Sequence, residues 1–162
     1  MLTRQLLMNT CYQLIGLPAS GKSTWARDNK PLLNATVISS DEYIERYAEY
    51  AEKTYSEVFD YVIYDAIEAM VESVIEASFI GQDIIWDQTS VSVKSRSKKF
   101  KMLPHYRHVA VVFPEPEPIE LRRRLDSRPG KIISDAIVQS MRSKFVMPTL
   151  KEGFSDILIV DK

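Results

Sequence analysis

The sequence predicts an α/β sandwich around a mostly parallel sheet, on three observations. Short apolar runs alternate along the chain with longer amphipathic segments, the pattern of strand–helix units. Five of these runs are apolar through their length, as strands buried on both faces must be. The first, Cys11 to Ile15, runs into Gly16-Leu-Pro-Ala-Ser-Gly21-Lys22-Ser23 and then into helix-forming residues. At 162 residues the chain has the length for one domain with a single core, and no internal repeat divides it.

The elements follow in order. The predicted strands are Cys11 to Ile15, Thr36 to Ser39, Asp83 to Trp86, His108 to Phe113 and Asp156 to Val160. A first helix is predicted from Gly21 to about Asn29, stopping before Pro31, and a second begins at Asp41. A long third helix starts near Thr54, where Thr54-Tyr55-Ser56-Glu57 matches a capping box. Val58, Val62, Ile63, Ala66, Ile67, Met70, Val71, Val74 and Ile75 recur along it at helical spacing, and Gly81 ends it. A basic segment, Val93 to Met102, follows the third strand. Helices over Pro118 to Asp126 and Asp135 to Phe145, the latter capped by Ser134, complete the chain.

Composition excludes several classes. No apolar run approaches the roughly 18 residues of a membrane span. Met1 to Thr10, with one arginine and a short Leu-Leu-Met cluster, is too weak for a secretory leader. The one cysteine, Cys11, has no internal partner for a disulfide, which fits a reducing compartment. A cytoplasmic protein with no membrane association is the expectation. The net charge of −1 hides an asymmetry: residues 1–90 carry 6 Lys/Arg against 14 Asp/Glu, and residues 91–162 carry 15 against 8. That split suits either a basic face for a phosphate-rich partner or two oppositely charged solvated surfaces. It leaves oligomeric state open.

The stretch Gly16 to Ser23 satisfies G-x-x-x-x-G-K-[ST] at every required position, in the strand–loop–helix context that the motif needs. Glycines let successive amides turn inward onto phosphate oxygens, and the following helix adds its positive end. Gly16, Ser20, Gly21, Lys22, Ser23 and Thr24 are therefore the candidate nucleotide-binding residues. Lys22 is placed to reach the outer phosphates and the Ser23 hydroxyl to ligate Mg²⁺. A loop of this kind predicts a P-loop NTPase sandwich and ATP with Mg²⁺, but it does not name the acceptor.

Ligands of parallel α/β sheets bind beyond the carboxyl ends of the strands, and two aspartates fall there. Asp41 follows Thr36-Val-Ile-Ser-Ser40, and Asp87 follows Ile84-Ile-Trp86. Asp41 is favoured as a general base, with a helix N-cap as the alternative and compatible role. Asp87 suits the Mg²⁺ site or a contact to the acceptor, or a plain turn. Thr89 is a further candidate toward substrate, or a cap. Leu121-Arg-Arg-Arg-Leu-Asp-Ser-Arg128-Pro-Gly-Lys131 reads as a small arginine-bearing lid over about residues 122–134, or as a solvated basic helix end. Arg128, at the turn, is the arginine favoured for the transferred phosphate. Six of the eight tyrosines lie between Tyr43 and Tyr64. Tyr43 and Tyr47 are candidates for stacking on an acceptor base, against the alternative of core packing with a wet hydroxyl. His105, His108 and Cys11 carry no assigned chemistry.

With these residues in place, the chain resembles the kinase domain of the phage and bacterial polynucleotide kinase family over nearly its whole length. The resemblance rests on the phosphate loop, Val-Ile-Ser-Ser-Asp41, Ile-Ile-Trp-Asp87-Gln-Thr-Ser, Val-Ala-Val-Val-Phe-Pro-Glu-Pro, the spacing from Arg124 to Arg128, and Glu-Gly-Phe-Ser-Asp-Ile-Leu-Ile-Val. It implies a five-stranded sheet of order 2-3-1-4-5, Asp41 as general base, Lys22 and Ser23 on phosphates and Mg²⁺, Arg128 on the transferring phosphate and Arg124 along the nucleotide. It also implies DNA as substrate. Ile44 stands where the family places an arginine that holds the phosphate beside a terminal nucleoside. That departure slightly favours, over a 5′-hydroxyl end, the hydroxymethyl group of 5-hydroxymethyluracil in phage-type DNA, the acceptor of a related group of phage kinases. Rival readings are a small-molecule or nucleoside kinase and a non-catalytic nucleotide-gated module.

Overall fold

In the computed structural model, residues 8–161 are described; the leader reading of the first ten residues falls mostly outside them. Strands β1 (Thr10–Ile15), β2 (Ala35–Ile38), β3 (Asp83–Trp86), β4 (Arg107–Val112) and β5 (Asp156–Ile159) form one sheet of order β2-β3-β1-β4-β5. Every pairing in it is parallel, so the order implied by the resemblance is the order observed. The predicted strands coincide with these to within one residue at each end.

Both faces of the sheet are covered over β1 to β4, which is why these strands carry no polar alternation, whereas the edge strand β5, expected to be buried on both faces, leaves Leu158 and Ile159 exposed. On one face Cys11, Ile84 and Trp86 pack against Met70, Val74 and Ala77 of the long helix α3 (Tyr55–Ile80). On the other, Leu14, Ile85 and Val111 meet Ala26 and Trp25 of α1 (Lys22–Leu33). Helix α2 (Ser40–Tyr50) lies on α3 through Ile44 and Ala48. Helices α4 (Val93–Met102), α5 (Pro118–Asp126) and α6 (Asp135–Lys144) complete the layers. No described helix is long and apolar enough to cross a membrane.

Local chemistry sets the boundaries. The capping box at Thr54 is formed: Glu57 N–H donates to the Thr54 side chain, and Thr54 N–H donates to the Glu57 carboxylate at 2.7 Å. Gly81 (φ 73) ends α3 as predicted. Two expectations need correction. Pro31 does not stop α1; it sits in the last turn, where a missing N–H costs one bond, and Asn34 in the left-handed region closes the helix. Asp41 is not an N-cap either. Ser39 holds that position, and Asp41 lies in the first turn with its carboxylate directed elsewhere.

Two polar groups in the core are structural. His108 Nε2–H donates to the Leu103 carbonyl at 2.9 Å, so Nδ1 accepts from Gln13 Nε2; burial lowers the ring's pKa and keeps it neutral. Burial pushes the Cys11 thiol up to about 12, which leaves it unreactive.

Candidate active site

The phosphate loop is built as its sequence requires. Ala19 (φ 62) and Gly21 (φ 102) take left-handed conformations, the local geometry that turns successive amides into one concavity. Gly16 admits no side chain: a Cβ there would lie 2.7 Å from Ser20 Oγ and 2.9 Å from Phe113 Cβ. The Ser20 hydroxyl is buried with no partner. Lys22 is buried, and its ammonium donates to the Gly16 and Leu17 carbonyls at 3.1 and 2.7 Å. Burial lowers its pKa to about 8, with Asp87 opposing the shift. An orphaned hydroxyl, a side-chain-free floor and a desolvated ammonium fit a bound polyphosphate.

The end of β3 supports the loop. Thr89 O accepts from Gly16 N–H at 3.0 Å, and Ser23 Oγ donates to Asp87 Oδ2 at 2.8 Å. Burial raises the Asp87 carboxyl, while the Ser23 hydrogen bond and Lys22 pull it down. Among the described residues no three His, Cys, Asp or Glu side chains cluster as a metal cage. Mg²⁺ is commonly held by one or two protein oxygens together with substrate phosphates. Ser23 and Asp87 are the pair present for it.

Two clefts flank the loop. One, of about 770 Å³, is lined by Trp25, Asn29, Phe113, Pro116, Arg124 and Val160. Arg124 reaches the loop through a hydrogen bond to the Ala19 carbonyl at 3.2 Å. It also pairs with Glu120 at 2.6 Å, as Arg123 does, while Arg122 pairs with Asp126 and Asp135. The other cleft, of about 1200 Å³, brings Lys22, Ser23, Thr24, Asp41, Asp87, Thr89 and Arg128 together. Arg128 lines both clefts.

The second cleft contains residues that the sequence reading passed over. Asp41 Oδ2 accepts from Lys131 Nζ at 2.7 Å, and Oδ1 accepts from the Tyr55 hydroxyl at 2.7 Å. Burial pushes the Asp41 carboxyl up, but Lys131, Tyr55 and Lys22 outweigh it and hold it below its ordinary range. The Tyr55 hydroxyl is raised by burial and by the carboxylate beside it, so it stays a donor. Tyr43 and Tyr47 do not reach this cleft: Tyr43 packs on the α2–α3 core and Tyr47 sits edge-on to Tyr61. Helical spacing explains it, because Ile44 and Ala48 bury and so turn Asp41 and Glu45 toward the cleft while 43 and 47 flank the core. Tyr55 and Phe59 supply its aromatic wall. Ile44 is fully buried, so α2 presents nothing to a ligand from that position.

A phosphate loop after β1, carboxylates at the ends of β2 and β3, and the 2-3-1-4-5 parallel order define a kinase-like P-loop domain. The chain belongs to the AAA domain family, whose model matches residues 12–148. Among solved structures it is similar to a presumptive kinase from Chloroflexus aurantiacus, with a TM-score of 0.73 and 20% identity over 95% of this chain and 88% of that one. It is also similar to a chain of the Pnkp1/Rnl/Hen1 RNA repair complex, with a TM-score of 0.66 and 23% identity over 85% of this chain; it spans 44% of that one. A shikimate kinase from Acinetobacter baumannii matches at a TM-score of 0.56 and 16% identity, over 96% of this chain and 86% of that one. At these identities the likeness is one of fold.

Proposed function

We propose that this chain transfers the terminal phosphate of ATP to an alcohol, with Asp41 as the general base. The observation that carries this reading is the convergence of Lys22, Ser23, Asp87, Asp41 and Arg128 on one cleft. Binding a nucleotide needs only the first three; a carboxylate across the cleft adds a group able to take an acceptor's proton. In the reaction the acceptor oxygen attacks the γ-phosphorus as the bond to the bridging oxygen breaks, ADP leaves, and Asp41 takes the hydroxyl proton. Lys22 and Arg128 oppose the charge on the moving phosphoryl group. Positioning and charge stabilisation carry most of the acceleration, since the transition state is loose. Ser23 and Asp87 would hold Mg²⁺, which would supply further charge neutralisation at the phosphates.

For the acceptor we propose a hydroxyl carried by DNA. The polynucleotide kinase resemblance, the basic C-terminal half and the exposed cations Arg27 and Lys30 on the cleft rim support it. With Ile44 in the core, no phosphate clamp comes from α2, which favours a hydroxymethyl base over a 5′ end. A second reading, a small uncharged or cationic alcohol, is favoured by the wall around Asp41, where Glu42, Glu45 and Asp60 also line the cleft. Labelled ATP and Mg²⁺ offered with 5-hydroxymethyluracil DNA with blocked ends, a 5′-hydroxyl oligonucleotide and free nucleosides distinguishes them. Label on DNA, with affinity falling steeply as salt rises, is the expected result. Label confined to nucleosides rejects the DNA acceptor, and no label on any of these rejects the proposed DNA kinase.

A further inference from the structure

The turn Arg128-Pro129-Gly130-Lys131 places two cations over the cleft, and only the first has been given a task. Proline at its second position and glycine at φ 70 in its third are the residues such a turn requires, and Lys131 N–H closes it on the Arg128 carbonyl at 3.3 Å. The turn is pinned from both sides. Ser56 N–H donates to the Gly130 carbonyl at 3.0 Å, and Ile132 N–H donates to Ser56 Oγ at 2.9 Å. Gly130 lies so close to α3 that a Cβ there would meet Thr54 Cβ at 2.6 Å. From this fixed base the Lys131 side chain, only 13% exposed, reaches Asp41 at 2.7 Å and Glu45 at 3.6 Å. It passes over the Tyr55 ring at 4.2 Å.

We propose that Lys131 is a positioning residue for the base: it fixes the Asp41 carboxylate from across the cleft, and the Pro129-Gly130 turn is built to hold it there. The inference rests on the reading of Asp41 as the base. An exposed ion pair gains little because two flexible stems must be ordered to form it. Here the backbone of one partner is already ordered by three hydrogen bonds, and its ammonium lies over the Tyr55 ring. Lys131 and Tyr55 each take one lone pair of a different Asp41 oxygen, so each oxygen keeps another for the acceptor hydroxyl. The carboxylate is thereby aimed and kept ionised. In a loose transition state the proton leaves late, so aim matters more than basicity.

The titratable and charged groups sharing the cleft with Asp41 are Tyr55 and Asp60 from α3, Glu42 and Glu45 on its own helix, Lys22 from the phosphate loop, Arg27 and Lys30 from α1, Asp87 from the end of β3, and Arg128 with Lys131 from the turn. Of these, Lys131 makes the strongest contribution to holding the carboxyl low. Removing it therefore has a signature that loss of a merely structural tie would lack. In the full chain with ¹³C-labelled aspartate, the carbon resonance of Asp41, assigned through Asp41→Asn, should titrate at higher pH in Lys131→Met than in the wild type. Lys131→Arg should restore the lower value. On the acceptor that takes label in the assay above, Lys131→Met should lower kcat roughly 10- to 100-fold, move the acid limb of kcat to higher pH, and leave KM for ATP unchanged. Gly130→Ala, which keeps the ammonium but disturbs its anchor, should act in the same direction by less. An Asp41 titration unmoved in Lys131→Met overturns the proposal, and so does a moved titration with an unchanged kcat profile. Full turnover by Asp41→Asn rejects the base itself, and it is read separately from the titration, which still reports the contact.

Discussion

At the phosphate end of the cleft the loop groups come from one unbroken stretch, Gly16 to Ser23, braced by Asp87 and Thr89, and only Arg128 joins them from a distance. At the acceptor end Asp41 lies 14 positions from Tyr55 and 90 from Lys131, and three separate elements have to meet. The first end is backbone and buried ammonium; the second is side chains, half-exposed at Asp41. The difference follows from the ligands. Every nucleoside triphosphate presents the same phosphates, so a rigid local loop suffices. An acceptor must enter, be told from others and leave, and a surface assembled from side chains of separate elements can be varied to suit it.

This contrast should appear as separable losses. Lys22→Met should cost the most, about 10³-fold in kcat, and should weaken ATP binding, while the fold tolerates it because an apolar chain replaces a buried charge. Turnover within tenfold of the wild type would remove Lys22 from the phosphate clamp. Asp41→Asn should follow at about 10² or more in kcat, with ATP affinity nearly intact by titration calorimetry. Equal damage to ATP affinity would mean that the two ends are one site. The smallest effect is one of pH. With its pKa held near 8 by burial, the Lys22 ammonium is charged below that pH and neutral above it. ATP affinity should therefore be flat below pH 8 and fall as pH rises past it, by at most about tenfold per unit. Lys22→Met should show no such slope.

The sheet was legible because its strands are uniformly apolar, and the phosphate loop because its chemistry is contiguous. Asp41 and Asp87 could be placed because strand ends of parallel sheets are where ligands bind. Tyr43 and Tyr47 were misplaced, since a helical spacing alone does not say which face is buried; Ile44 and Ala48 decide that only once α3 is docked. Lys131 escaped notice although its signal was present. Proline then glycine between two cations marks a turn that brings residues three apart side by side. What no spacing could supply was the partner 90 positions upstream.

The pinned turn also bears on how the sequence can vary. Surface turns ordinarily absorb inserted or deleted residues at little expense. Here Arg128 and Lys131 are set apart by one four-residue turn locked onto the start of α3, so in the proposed reaction the turn is a ruler between phosphate and base. One added residue would move one cation off its mark while leaving the sheet untouched. Homologous chains sharing this chemistry should therefore differ freely in side chains along the exposed faces of α5 and α6, yet keep the length of this turn.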